Sequence, residues 1–321
     1  MGEVVIPGIE VSDFAFIPSL LPVGLVRGRT IAEAQFNAVL FCWQKGVRAR
    51  TPKHQEGYPL GYDANITVVV EEPFAEPRIF TPGVCDNEAG IEKYRLEVLY
   101  GIGDYRVGLD WDYTYHERYT RYNQVQRLIQ KIVNDWKTKG RISGRDYQLS
   151  LWDPAMDLER EDAPCCQIIS IRFFEVKGCW IAVMQILFRS RDLIKAWWHN
   201  VWAFTDFQRV FCKKLSQVIG FEITAGPYID HSFSLHIYGS YLARENLETG
   251  LFPRMLEKGW QAFAMDSSVL FPEGKMPEIR RFISAQMDFY SKTGQANATE
   301  TALQKAGYDL NNFPYPSEWD E

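Results

Sequence analysis

The sequence predicts an α+β fold, and three observations carry that expectation. Two runs of strand character, residues 167–176 and 179–188, flank the turn dipeptide Lys177-Gly178 as a hairpin. The longest helical pattern, residues 194–219, sets Trp197, Trp198, Val201, Phe204, Val210, Phe211, Leu215 and Val218 on a face wide enough to be largely buried. Elsewhere strands and helices mix without regular βαβ alternation, and no Ser/Gly-rich or Pro-rich linker divides the 321 residues. The expected organisation is one domain over residues 1–244 with a helical extension, residues 245–321, packed on it.

Each element has its own local signal. Thr30 and Glu33 form a capping box opening a helix over residues 30–44, with Gly46 just beyond it. The basic segment 45–54, containing Arg48 and Arg50, reads as a loop with two spare cations, and residues 65–71 read as a strand. Residues 91–100 are helical in pattern, with Tyr94, Val98 and Leu99 available for one face and Glu97 near the middle. Gly101, Gly103 and Gly108 lack the spacing of a dinucleotide fingerprint and read as a loop. A helix over 123–139 carries Val125, Leu128, Ile129, Ile132 and Trp136 at helical spacing and stops at Gly140. Residues 147–152 form a strand, and then comes the hairpin. After the long helix stops at Gly220, strands are expected over 221–224 and 232–241, the second carrying His236 and Tyr238 on one sheet face. Pro277 suits the first turn of a helix bearing Ile279, Phe282, Ile283 and Met287, with Gly294 after it.

Counting outward from Lys177-Gly178 places Arg189 opposite Cys165. A fixed cation beside a cysteine favours thiolate over thiol, and the thiolate is the nucleophile. The same guanidinium can hold a phosphate or carboxylate through paired hydrogen bonds, the alternative being a purely structural pairing with Asp192 or Glu161.

Composition narrows the function classes. A formal charge of -6 argues against sequence-independent nucleic-acid binding, which needs a basic surface to neutralise phosphates. No run is long and apolar enough to span a bilayer, and the first ten residues carry no basic-then-apolar leader, so a cytoplasmic protein is expected. The high aromatic share implies large buried contacts or a flat ligand. Six cysteines do not make a disulfide framework at this length, and adjacent Cys165 and Cys166 lack zinc-knuckle spacing, so no metal is expected. Cys42, Cys85, Cys179 and Cys212 read as packing residues.

The ordered set Ala163-Pro164-Cys165, Arg189-Ser190-x-Asp192 with Asn200 eight residues later, and Ser234-x-His236-x-Tyr238 resembles the thymidylate synthase superfamily, nearest its archaeal-type members. The match runs over about residues 90–241, with weaker similarity at Glu97, at Tyr113 with Arg118, at Arg145 with Ser150-x-Trp152, and at Arg48 or Arg50. The resemblance implies a large mixed sheet with flanking helices, a homodimer, and one-carbon transfer from 5,10-methylenetetrahydrofolate or a related pterin to carbon 5 of a pyrimidine nucleoside monophosphate. Deoxyuridylate is the leading substrate. By the same resemblance Cys165 attacks carbon 6, Glu97 works as acid/base through water, and Tyr113 joins the water network near carbon 5. Arg189 and Ser190 hold the phosphate, with Arg48 or Arg50 assisting and Arg145 reaching in from the second subunit. Asn200 reads the base, accepting from nitrogen 3 of uracil and donating to oxygen 4, a pattern that cytosine reverses. His236 and Tyr238 bind the sugar hydroxyl, and Asp192 and Trp111 face the pterin.

Four departures from the family pattern stand out. Cys166 replaces a common histidine, Asp146 replaces the second of two arginines, and Lys195-Ala196-Trp197-Trp198-His199 replaces a small, glycine-rich stretch on the folate side. Residues 314–321 are acidic where the synthases have a short apolar closing tail. Reductive methyl formation needs a closed, dry site, so two alternatives stand beside the synthase. One is a 5-hydroxymethylase acting on dUMP, dCMP or CMP; the other is a nucleotide-binding relative without turnover.

Overall fold

A computed structural model describes residues 9–10, 21–50 and 57–321. Its centre is a nine-stranded mixed sheet of β1 (Ile9–Glu10), β2 (Val23–Gly28), β3 (Val47–Ala49), β4 (Gly61–Val70), β5 (Gln148–Ser150), β6 (Cys166–Val176), β7 (Cys179–Phe188), β8 (Arg191–Asp192) and β9 (Ile223–Ile237). The order is β1-β2-β4-β9-β7-β6-β5, with β3 added beside β4 and β8 beside β9. The β2/β4, β9/β7 and β8/β9 pairs are parallel, and β4/β9, β7/β6 and β6/β5 are antiparallel. Helices α1 (Ile31–Lys45), α2 (Glu88–Tyr100), α3 (Gln124–Lys139), α4 (Ala196–Ile219), α5 (Gly239–Arg244) and α6 (Lys275–Thr293) flank it. This is the expected α+β class, a large mixed sheet with helices around it.

The local signals act as their chemistry requires. Thr30 Oγ1 accepts from the Glu33 amide at 3.4 Å, while Glu33 Oε2 accepts from the Arg29 amide at 2.7 Å, a capping box reaching back one residue further than usual. Gly140 and Gly220 end α3 and α4 in the left-handed conformation, at φ 62° and 92°. Along α4 the expected face is buried and joins the main core, with Trp197, Trp198, Val201, Phe204 and Leu215 fully enclosed, except at Val218 near the end of the helix, which is 60% exposed.

Several expectations change. Arg48 is not on a loop: it lies on β3, paired through Tyr62 to the sheet, and residues 51–54 of the basic segment lie outside the described residues. The strands expected at 221–224 and 232–241 are one strand, β9, because register shifts at Gly226-Pro227 and near Phe233 absorb the breaks. A bulge is where a proline lacking its N–H is tolerated, and a Cβ at 226 would stand 2.3 Å from the Ile181 side chain. Tyr238 lies beyond the strand, as the residue preceding α5.

The hairpin forms around Lys177 and Gly178, both at positive φ. The expected count is one residue off: a strictly regular ladder about that turn pairs Ser190, not Arg189, with Cys165. Instead an extra residue, Gln167, shifts the register between Ile168 and Cys166, so the Arg189 amide bonds to the Cys165 carbonyl at 2.8 Å. The predicted neighbours are reached through a bulge that simple counting does not contain.

Trp197 and Trp198 do not shape a ligand pocket directly, since both are fully enclosed in the core. Trp198 Nε1 donates to the Arg78 carbonyl at 2.9 Å and its ring stacks on Trp202, which stacks in turn on Phe271. The segment after α5 contributes Leu247, Leu251, Phe252, Met255 and Phe263 to that same core.

Candidate active site

Cys165 is half-buried at the mouth of the β6/β7 hairpin, while Cys166 is fully enclosed behind it. The Arg189 guanidinium donates to the carbonyls of Ala163 at 2.6 Å and Pro164 at 3.2 Å, which clamps the chain just before the thiol. Those bonds commit two of its five N–H donors. Tyr113 supplies a hydroxyl to Cys165. Burial pushes the Cys165 thiol above its ordinary value; Arg189, Tyr113 and Arg191 pull it back only in part. The cation expected to favour thiolate is therefore present, and desolvation outweighs it.

Tyr113 also lines a cleft of about 260 Å³ with Tyr94, Glu97, Val98, Trp111, Thr114 and Tyr115. Glu97 enters it from α2, where burial raises its carboxyl above the usual range against the pull of Lys93 and Arg106. Gly103 packs close behind, since a Cβ there would lie 3.2 Å from Glu97 Cγ. Trp111 is held by Arg106, whose guanidinium sits 4.2 Å from its ring centroid. Thus Cys165, Arg189, Tyr113, Glu97 and Trp111 are brought into one region.

Asn200 projects from the first turns of α4 and is 7% exposed. Its Oδ1 accepts from Arg191 Nε at 3.0 Å and its Nδ2 donates to the Tyr94 hydroxyl, which reaches the cleft. Arg191 and Asp230, both buried, lie 2.9 Å apart as an ion pair.

His236 and Asp192 are direct partners in the parallel β8/β9 pairing. Asp192 Oδ1 accepts from the amides of Ile194 and Lys195 at 2.9 and 3.2 Å, and Oδ2 accepts from Tyr241 Oη at 2.7 Å. Burial raises its carboxyl above the ordinary range. The rings of His236 and Tyr238 meet edge to face at 4.6 Å, so the two side chains stay together although Tyr238 has left the strand. Tyr238 is pushed up to about 12, chiefly by burial, with the charges of Asp192 and Cys165 acting in the same direction.

Ser234 Oγ donates to Asp63 Oδ2 at 2.9 Å, so it can only accept from His236 Nδ1, 3.3 Å away. That assigns the imidazole proton to Nδ1 and leaves Nε2 as an acceptor, buried and without a partner among the described residues. Burial lowers His236 to about 4, so it is neutral.

The remaining arginines stand apart. Arg48 is exposed, ion-paired to Glu248 at 2.8 Å and stacked over Tyr62, so it is not a spare cation. Arg50 is exposed just before the undescribed residues 51–56, and Ser190 is half-buried beside Arg189. Arg145 is exposed on the turn entering β5, and the β5/β6 register sets it about 25 Å along the strand from Cys165. This chain does not bring Arg145 to its own thiol. Arg118 is engaged bidentately by Asp157, with both bonds at 2.7 Å.

Four residues of this region were not singled out by sequence: Arg191, Asp230, Tyr241 and Asp63. Arg191 occupies the unspecified position of Arg-Ser-x-Asp, and the others reach the site from separate elements, so only an expected strand pairing could have signalled them. Among the described residues no cluster of His, Cys, Asp or Glu is arranged to hold a metal, and no helix is long and apolar enough to cross a membrane.

No protein-family profile matches the chain. A curated protein of Methanothermobacter marburgensis named "Putative thymidylate synthase" is 28% identical over 151 residues, which cover 46% of this chain and 58% of that protein. The match thus spans little more than half of that relative's length. Among solved structures, thermostable thymidylate synthase A from Bacillus subtilis aligns over 68% of this chain and 83% of its own, at 17% identity and a TM-score of 0.47. The chain is similar to the thymidylate synthase superfamily.

Proposed function

We propose that this chain transfers a one-carbon unit to carbon 5 of a uracil nucleotide through a covalent Cys165 adduct at carbon 6. The observation that carries the reading is the meeting of a half-buried thiol, a guanidinium with donors to spare and a tyrosine hydroxyl beside a cleft lined by a half-buried carboxyl. Methylenetetrahydrofolate or a related pterin would be the carbon donor, against the Trp111 and Asp192 side of the site.

In this reading Arg189 and Ser190 hold the phosphate, and Arg189 and Tyr113 stabilise the thiolate as it forms. Sulfur bonds to carbon 6, the carbon 5–carbon 6 electron pair makes carbon 5 nucleophilic, and carbon 5 takes the one-carbon unit. Glu97, its carboxyl raised by burial, is suited to shuttle the carbon 5 proton through water. Loss of that proton would expel the pterin nitrogen and leave an exocyclic methylene on carbon 5; addition of hydride or water to that methylene re-forms the carbon 5–carbon 6 double bond and expels the Cys165 sulfur. Asn200 reads the base, and His236 with Tyr238 the sugar hydroxyl.

The protein would act as a homodimer, with Arg145 completing the phosphate site of the other subunit. Supporting this, the sheet face bearing Ile181, Val183, Gln185 and Leu187 is only partly covered.

A hydroxymethyl product is favoured as the second reading by the position of the C-terminal segment. Arg95 Nη2 donates to the carbonyls of Trp319 at 3.0 Å and Glu321 at 3.2 Å. At about 100° per residue, Glu92 and Arg95 lie on the side of α2 away from Glu97, and no residue of 314–321 lines the cleft. A site left open to water suits capture of the exocyclic methylene by water rather than hydride.

The test supplies carbon-5-tritiated dUMP, dCMP, UMP and CMP with methylenetetrahydrofolate, and reads tritium release and product mass. A methyl product with dihydrofolate supports the synthase, and a hydroxymethyl product with tetrahydrofolate the hydroxymethylase. Binding without release from any substrate would leave a nucleotide-binding protein and sink the enzyme reading.

A further inference from the structure

We propose that Arg191 is a positioning residue that pins the Asn200 side-chain amide in the orientation reading uracil and refusing cytosine. The inference rests on the nucleotide-binding reading above and adds what sets base selectivity.

An asparagine amide can turn over, exchanging donor and acceptor, and the two orientations read opposite base edges. Uracil offers a nitrogen 3 donor and an oxygen 4 acceptor; cytosine offers a nitrogen 3 acceptor and an amino donor. An unpinned amide would serve both. Arg191 removes that freedom, because a guanidinium carries donors only, and the Asn200 atom 3.0 Å from its Nε must be oxygen. Turning the amide over would set an NH2 group against that N–H inside a site where Asn200 is 7% and Arg191 3% exposed. The Tyr94 hydroxyl takes one hydrogen of Nδ2. Oδ1 therefore keeps one lone pair and Nδ2 one hydrogen, the acceptor and donor that uracil requires.

Arg191 is itself immobilised. Its guanidinium carbon lies 3.6 Å from the Phe188 ring centroid and 5.8 Å from that of Trp197, and Nη1 is 2.9 Å from Asp230 Oδ2. That ion pair is close but poorly directed, since neither Nη1 nor Nη2 makes an aligned hydrogen bond among the described residues. The well-directed bond of this guanidinium is the one to Asn200.

The test separates the Nε donor from the buried charge. Arg191→Met alone would strand Asp230, so both variants also carry Asp230→Asn. R191M/D230N lacks any donor at the Nε position. R191Q/D230N replaces it, because the glutamine amide nitrogen is as many bonds from the backbone as arginine Nε. Calorimetric titration with uracil and cytosine nucleotides of matched sugar and phosphate gives the selectivity ratio, and melting curves confirm folding. Wild type should prefer uracil by about tenfold or more, R191Q/D230N should retain most of that, and R191M/D230N should fall to about parity. Equal ratios in the two folded variants, or a wild-type preference for cytosine, would overturn the role of Arg191. If wild type binds none of the nucleotides, the nucleotide-site reading fails first and takes the inference with it.

Discussion

Cys165 illustrates how burial and charge compete at one residue. Burial holds the thiol protonated, and Arg189 is the first group opposing it, so raising the pH should increase thiolate and removing Arg189 should demand still higher pH. Alkylation of Cys165, followed by mass spectrometry, should therefore rise with pH on the alkaline side, and Arg189→Met should move that rise upward. Cys165→Ala should cut tritium release by about 10³-fold or more while nucleotide binding survives, whereas Cys166→Ala should leave release intact. Glu97→Gln should slow release by roughly 10²- to 10⁴-fold with little change in nucleotide affinity. His236 carries a stability signature. Its value falls from 6.5 to about 4 on burial, so the unfolded chain binds the proton first and stability drops as pH falls through that window. The loss reaches about 3 kcal/mol below pH 4. Denaturant unfolding should show a shallower loss between pH 6.5 and 4 in His236→Gln. Asp63 and Asp192, whose carboxyls are raised, contribute with the opposite sign and remain in the variant.

At the scale of elements, α2 is the part on which two functions meet. One side presents Tyr94 and Glu97 to the cleft; the other buries Glu92 and Arg95 against Asp206 of α4 and Arg280 of α6. Arg95 Nε is 3.2 Å from Glu92 and 3.0 Å from Asp206, so Arg95→Met would leave two buried carboxylates short of a counter-charge. The expected cost is about 3–5 kcal/mol in urea unfolding, with activity reduced in the folded fraction because Glu97 loses its anchored helix. An unchanged midpoint would show that Arg280 alone neutralises the cluster.

At the scale of the molecule, two arrangements invite direct tests. If Arg145 serves the other subunit's site, inactive R145A and C165A proteins should regain activity when mixed after dissociation. Random pairing yields half heterodimers with one intact site each, or about a quarter of wild-type activity. No recovery, with dimers present, would remove Arg145 from the site. The boundary proposed at residue 244 is tested by truncation there. Phe252 rests against Trp43 with ring centroids 4.9 Å apart, and Phe263 against Phe36 at 6.1 Å, so the shortened chain should lose cooperative unfolding. A truncated chain that melts sharply would establish an independent domain.

What the chain settles on its own is whatever depends on near neighbours. Thr30 with Glu33, Gly140, Gly220 and the Lys177-Gly178 turn mark their elements because caps and turns are contests over a few adjacent backbone groups. The α+β class and the spacing of Cys165, Arg189, Asp192, Asn200, His236 and Tyr238 are legible for the same reason: order along the chain is itself the signal. The tertiary structure alone decides what depends on register and on the competition for partners. The bulge at Gln167 selects Arg189 over Ser190 as the neighbour of Cys165, and pairing across β4 and β9 brings Asp63 to Ser234. Glu248, 200 residues away, takes Arg48, and Arg191 takes the oxygen of Asn200. Hydrogen-bond and ion-pair choices at such separations follow from which strands lie side by side, and local propensity carries no information about that.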